Sequence, residues 1–130
     1  MTMQEMSTAV QYNLPIKIFI LNNEYMGMVR QWQEVLHEKN YSESYTAALP
    51  DFVKLAEAYG CVGIQATKPD ELDEKINEMI NTKEPVIFDC RVDPAENCYP
   101  MIPSGKPHNQ MLLGPEDEKE EVSDEGKTLV

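Results

Sequence analysis

Ile16-Lys17-Ile18-Phe19-Ile20-Leu21-Asn22-Asn23 is the stretch that decides the fold. It is almost wholly apolar up to Leu21, rich in β-branched isoleucine and too short for a buried helix. Pro15 blocks a helix from running into it, and two asparagines stop it. Such a run reads as a central strand of a parallel sheet, covered on both faces.

The chain on either side supplies the partners that such a strand needs. Upstream, residues 2–12 are predicted to be helical. Thr2 and Glu5 have the spacing of a capping box, and Met3, Met6, Ala9 and Val10 recur on one face. Downstream, a loop runs to about Gly27 and a helix is expected over 28–36. Residues 40–49 have no period and read as irregular. Pro50-Asp51 opens a further helix carrying Phe52, Leu55, Ala56 and Tyr59, with Gly60 placed to end it. Residues 62–66 read as a strand and 67–70 as a turn. Leu72, Ile76, Met79 and Ile80 mark an amphipathic helix, and 85–92 reads as another strand.

This alternation predicts an α/β fold, a partial doubly wound and mostly parallel sheet, over residues 1–93. Beyond Asp93 the character changes. Pro94, Pro100, Pro103, Pro107 and Pro115 interrupt the chain, so 94–130 is expected to be an extended arm with an acidic tail. Glu116, Asp117, Glu118, Glu120, Glu121, Asp124 and Glu125 crowd that tail against only Lys119 and Lys127, which reads as a solvated, mobile end or a surface helix rather than a site.

The 130 residues suffice for one modest domain, and 42% hydrophobic content is that of a globular protein rather than a disordered one. Eleven basic against 23 acidic residues leave a net charge of −12, which disfavours nucleic acid and anionic membranes as partners. No apolar run is long enough to span a bilayer, and no secretory signal is visible. Cys61, Cys90 and Cys98 lack metal-ligand spacing and read as buried thiols in a reduced, cytoplasmic compartment.

In an open parallel sheet, ligands bind beyond the carboxyl ends of the strands. Asn22-Asn23-Glu24-Tyr25-Met26-Gly27-Met28 falls there. Amide and carbonyl oxygens suit Mg²⁺, Gly27 permits close backbone approach, and the next helix start offers N–H groups to an anion. The plain alternative is a turn held by local asparagine hydrogen bonds.

The wording of the chain is more specific than its pattern. Residues 1–33, including Asn22-Asn23-Glu24-Tyr25-Met26-Gly27-Met28-Val29-Arg30-Gln31-Trp32-Gln33, closely resemble acetohydroxyacid synthase (acetolactate synthase) catalytic subunits. Leu21-Asn22-Asn23 matches the end of a thiamine-diphosphate motif that begins Gly-Asp-Gly. That beginning is expected just before Met1. Residues 51–60, Pro100-Met101-Ile102-Pro103-Ser104-Gly105 and residues 108–114 continue the likeness. The acidic end matches least.

The resemblance implies that Asn23 and the backbone carbonyl of Tyr25 ligate Mg²⁺ and, through it, thiamine diphosphate. Glu24, Met26, Gly27 and Met28 match the rest of the cofactor loop, and Met28, Trp32 and Ser104 match positions along the substrate channel. It implies condensation of two pyruvates to 2-acetolactate, or of pyruvate with 2-ketobutyrate, with loss of CO₂. The aspartate metal ligand, the activating glutamate and most of the FAD site belong to other parts of the family's subunit. No catalytic residue is therefore expected here, nor turnover by these residues alone. A homodimer of catalytic subunits and a regulatory small subunit are the implied partners. His37 and His108 match no family catalytic residue, and His37 is expected to face solvent. Two alternatives stand beside this: another thiamine-diphosphate carboligase or decarboxylase, and a short non-catalytic interaction module.

Overall fold

A computed structural model describes residues 2–119. Met1, Glu120, Glu121, Asp124, Glu125, Lys127, Leu129 and Val130 lie outside them. The described residues form two compact units. The first takes the chain up to Glu24 together with Ala47–Pro94; the second takes Tyr25–Thr46 together with the chain from Ala95 onward.

The first unit is a three-stranded, fully parallel sheet in the order β1-β3-β2, where β1 is Lys17–Asn22, β2 is Val62–Ala66 and β3 is Val86–Arg91. Helices cover both of its faces, as the doubly wound reading expects. Val86, Phe88 and Cys90 point one way and pack with Ile64, Ala66 and Met79, the last from α4 (Leu72–Asn81). Ile87 points the other way, against Met6 of α1 (Met6–Gln11) and Ala56 of α3 (Phe52–Tyr59). Burying the Phe88 side chain completely contributes about 2–3 kcal/mol.

Helix ends follow their sequence signals at α3. The Asp51 side chain accepts from the Lys54 backbone N–H at 3.0 Å, and Gly60 closes the helix in the left-handed region at φ 79°. Behind it, Gly63 of β2 lies so close to α3 that a Cβ there would sit 2.9 Å from Val53 backbone atoms.

Three expectations about the strands and helices need correction. The strand after Pro15 is not central: among the described residues β3 occupies the middle, and β1 is an edge with Phe19 and Leu21 exposed. An isoleucine-rich run fits either place, whereas only β3 has five consecutive buried residues. The Thr2–Glu5 capping box does not form. A 3₁₀ turn at Met3–Glu5 precedes α1, and the Glu5 N–H bonds the Thr2 carbonyl instead. Ile80, expected on the apolar face of α4, is exposed.

In the second unit, α2 (Gly27–Leu36) is moored to the arm by two buried polar side chains. Gln31 donates to the Cys98 carbonyl at 2.9 Å and accepts from the Cys98 N–H at 2.8 Å. Arg30 donates to the Ala95 carbonyl, to Asn97 and to Glu34. Burial alone would raise the Glu34 carboxyl; hydrogen bonds from Arg30 and Tyr41 outweigh it and hold Glu34 below its ordinary value. In the described part of the arm, Met101 and Leu112 form an antiparallel bridge. No helix among the described residues is long and apolar enough to cross a membrane.

Candidate functional site

The candidate site starts where β1 stops. Asn22 is buried and donates from Nδ2 to the Asp89 carboxylate at 2.7 Å. Its Oδ1 accepts the Glu24 backbone N–H at 3.1 Å, closing an Asx turn over Asn23. Glu24 takes a left-handed conformation, φ 61°, which a residue with a side chain adopts only when its surroundings require it. The Arg91 guanidinium pairs with the Glu24 carboxylate and reaches Asp89 Oδ2 at 3.3 Å. Gln65 Nε2 donates to the same Asp89 oxygen at 2.9 Å.

A cavity of about 400 Å³ lies at the carboxyl end of the sheet, lined by Asn22, Asn23, Glu24, Gln65, Thr67 and Arg91 among others. Asn23 is half-buried at its rim. The donor set is hard: amide, carboxylate and hydroxyl oxygen, with neither thiol nor imidazole. Among the described residues no three His, Cys, Asp or Glu gather into a metal cluster. A cation held here would combine an amide oxygen with backbone carbonyls and oxygens from ligand or water. Mg²⁺ beside a diphosphate uses that mixture, so the residues present fit that group.

The remaining expected site residues belong to the second unit. Tyr25 forms a bridge with Tyr45, their rings 5.1 Å apart, and the Met26 N–H bonds the Ser44 carbonyl at 2.8 Å. Gly27 begins α2 with no side-chain cap before it. One face of α2 borders a groove of about 760 Å³, lined by Met28, Val29, Trp32, Gln33, Leu36 and His37 among others. Met28 and Trp32 therefore share a surface. Ser104 does not border this groove and is half-buried in the arm.

His37 was expected to face solvent; it is half-buried, and its Nε2 is buried without a hydrogen-bond partner. His108 is exposed. Sequence reasoning missed Asp89, Gln65 and Arg91. A signal for the first existed: an aspartate within Val86-Ile87-Phe88-Asp89-Cys90 would be a buried carboxylate, which persists only where partners satisfy it.

Residues 1–90 match the family described as thiamine pyrophosphate enzyme, C-terminal TPP binding domain. The chain is 50% identical over 113 residues to the acetolactate synthase large subunit of Cyanidium caldarium, a match covering 86% of this chain and 19% of that protein. It is 45% identical over 120 residues to the acetolactate synthase large subunit of Haemophilus influenzae, covering 92% and 21%. To the isozyme 3 large subunit of Escherichia coli it is 47% identical over 116 residues, covering 87% and 20%. Among solved structures it is similar to the thiamine diphosphate-dependent 4-hydroxybenzoylformate decarboxylase of Rhodococcus jostii RHA1. That match has a TM-score of 0.62 at 25% identity and covers 70% of this chain and 17% of the other. The chain spans about a fifth of the length of the curated relatives it matches.

Proposed function

Because the chain belongs to the thiamine pyrophosphate enzymes, carrying their C-terminal TPP-binding domain, we propose that it is the diphosphate-side part of an acetolactate synthase catalytic subunit. The reaction is the condensation of two pyruvates to 2-acetolactate, or of pyruvate with 2-ketobutyrate to 2-aceto-2-hydroxybutyrate, with release of CO₂. It serves branched-chain amino-acid biosynthesis in the cytoplasm. The observation that carries this reading is the Asx turn over Asn23 at the carboxyl end of a parallel strand. The surrounding sequence is 45–50% identical to acetolactate synthase large subunits of three organisms.

Asn23, through its side-chain oxygen, and the Tyr25 backbone carbonyl would hold Mg²⁺, and with it the diphosphate of the cofactor. Glu24, Met26, Gly27 and Met28 make up the rest of the cofactor loop. When bound, thiamine diphosphate supplies the electron sink for decarboxylation and carbon–carbon bond formation. The chain's own part is to anchor, orient and exclude water. Trp32 with Met28 walls the substrate channel, and a flat apolar wall rewards the extra methylene of 2-ketobutyrate by about 1–3 kcal/mol. The resemblance assigns Ser104 of the arm to the same channel, although Ser104 does not border the groove that Met28 and Trp32 share. The aspartate metal ligand, the activating glutamate and the FAD site come from outside these residues. The assembly is a homodimer of catalytic subunits with a regulatory small subunit.

Calorimetric titration of the complete polypeptide with Mg²⁺ and thiamine diphosphate tests the anchor. Asn23→Ala is expected to weaken Mg²⁺-dependent cofactor binding by about tenfold or more. Unchanged binding refutes Asn23 as a ligand. Product analysis with pyruvate alone and with added 2-ketobutyrate separates this activity from that of another thiamine-diphosphate carboligase or decarboxylase.

A further inference from the structure

We propose that Asp89 is a positioning residue for the cofactor turn: its buried carboxylate orients the Asn22 amide and the Arg91 guanidinium, and these two hold the Glu24 backbone in the conformation that presents Asn23. The inference rests on the reading of Asn23 as a metal ligand.

Asp89 is 1% exposed in the middle strand, between buried Phe88 and Cys90. A carboxylate withdrawn from water persists only where its oxygens are satisfied. Both oxygens of Asp89 are, by one residue from each strand: Asn22 of β1, Gln65 of β2 and Arg91 of β3. All four residues lie at the carboxyl end of the sheet, where the strand register pairs Asn22 with Arg91 and Gln65 with Asp89.

The donor–acceptor logic runs in one direction. A carboxylate only accepts, so Asn22 must turn its NH₂ toward Asp89. Its carbonyl oxygen is then committed to the other side, where it takes the Glu24 N–H. Glu24 stands at φ 61°, a conformation that a non-glycine residue holds only when the surroundings over-determine it. The second restraint on Glu24 is its ion pair with Arg91, and Arg91 is itself steadied by Asp89. Asn23 lies between the two restrained residues, so its presentation depends on a side chain from a strand nearly 70 residues away in sequence. Supporting residues of this kind set metal affinity without touching the metal.

Asp89→Asn keeps the shape but ends the acceptor-only rule, so the Asn22 amide is no longer committed. The complete polypeptide carrying it is titrated calorimetrically with Mg²⁺ at fixed thiamine diphosphate, alongside Asn23→Ala. Steady-state rates are measured at saturating cofactor. Asp89→Asn is expected to weaken Mg²⁺ by about tenfold while kcat and the KM for pyruvate stay within about threefold. The double exchange Asn22→Asp with Asp89→Asn restores every donor–acceptor pair with the roles reversed, and is expected to recover binding to within about threefold of the parent. No recovery overturns the orientation argument. If Asn23→Ala weakens Mg²⁺ and Asp89→Asn does not, the positioning role is wrong and the ligand reading stands. If Asn23→Ala is without effect, the ligand reading fails and takes this inference with it. Should Asp89→Asn not fold, Arg91→Gln carries the same titration from a partly exposed position, and unchanged Mg²⁺ binding there overturns the proposal.

Discussion

Replacing Gly63 by alanine adds one methyl group at a close approach of α3 to the sheet. The new Cβ would lie 2.9 Å from three atoms of Val53: its Cα, its Cγ1 and its carbonyl oxygen. A rotamer change can move only the Cγ1. The other two are backbone, so relief requires α3 to shift, and with it Ala56 and Phe52, which pack with Ile87. Overpacking of this kind costs about 1–3 kcal/mol. Alanine also restricts the unfolded chain, which returns about 0.4–1 kcal/mol. The net expectation is destabilisation by about 1–2 kcal/mol. Urea denaturation followed by circular dichroism measures it, with two comparison variants. Gly114→Ala meets nothing within 4 Å and is expected to be neutral or slightly stabilising. Gly60→Ala has room, with Val10 Cγ1 at 3.5 Å, but must hold φ 79°, a strain of about 1–2 kcal/mol. A Gly63→Ala protein as stable as the parent would refute the close packing of α3 on β2.

Two further expectations concern titration. Burial pushes the Cys61 and Cys90 thiols up, the latter also through the neighbouring Asp89 charge, whereas Cys98, read from the sequence as buried, is in fact exposed. Alkylation in mildly alkaline buffer, mapped by mass spectrometry, should label Cys98 first and the other two only after denaturation; simultaneous labelling of all three contradicts their burial. The Glu71 carboxyl is held below its ordinary value by the Thr67 and then the Lys68 backbone N–H groups. A carboxyl depressed in the folded state adds stability above its unfolded value, and that addition disappears as pH falls through the folded value. The stability gap between the parent and Glu71→Gln should therefore be present at neutral pH and close in acid. A gap independent of pH contradicts the assignment.

Periodicity made most elements readable. Local signals such as Asp51 before α3 and Gly60 after it act within a few residues, so they survive in one dimension. The rank of strands in the sheet did not, because an apolar strand looks alike at an edge or in the centre; only neighbours distinguish β1 from β3. The Thr2–Glu5 spacing failed for a related reason: a backbone 3₁₀ turn satisfied the same N–H first. At the site, the asparagine pair was visible because strand and turn are adjacent in sequence. The support beneath it was not, because Asp89, Gln65 and Arg91 meet Asn22 only after three strands align.

The mooring of α2 has a practical corollary for anyone exchanging segments between relatives. The helix that carries Met28 and Trp32 on its groove side sets Arg30 and Gln31 against residues 95–98 and Met101. A chimera importing a foreign helix without this arginine and glutamine would leave the Ala95 and Cys98 carbonyls and the Cys98 N–H of the arm without these partners. Each unmatched group costs about 1–3 kcal/mol. Crossovers should therefore transplant residues 25–46 and the segment from Ala95 through Met101 from one parent, as a single cassette.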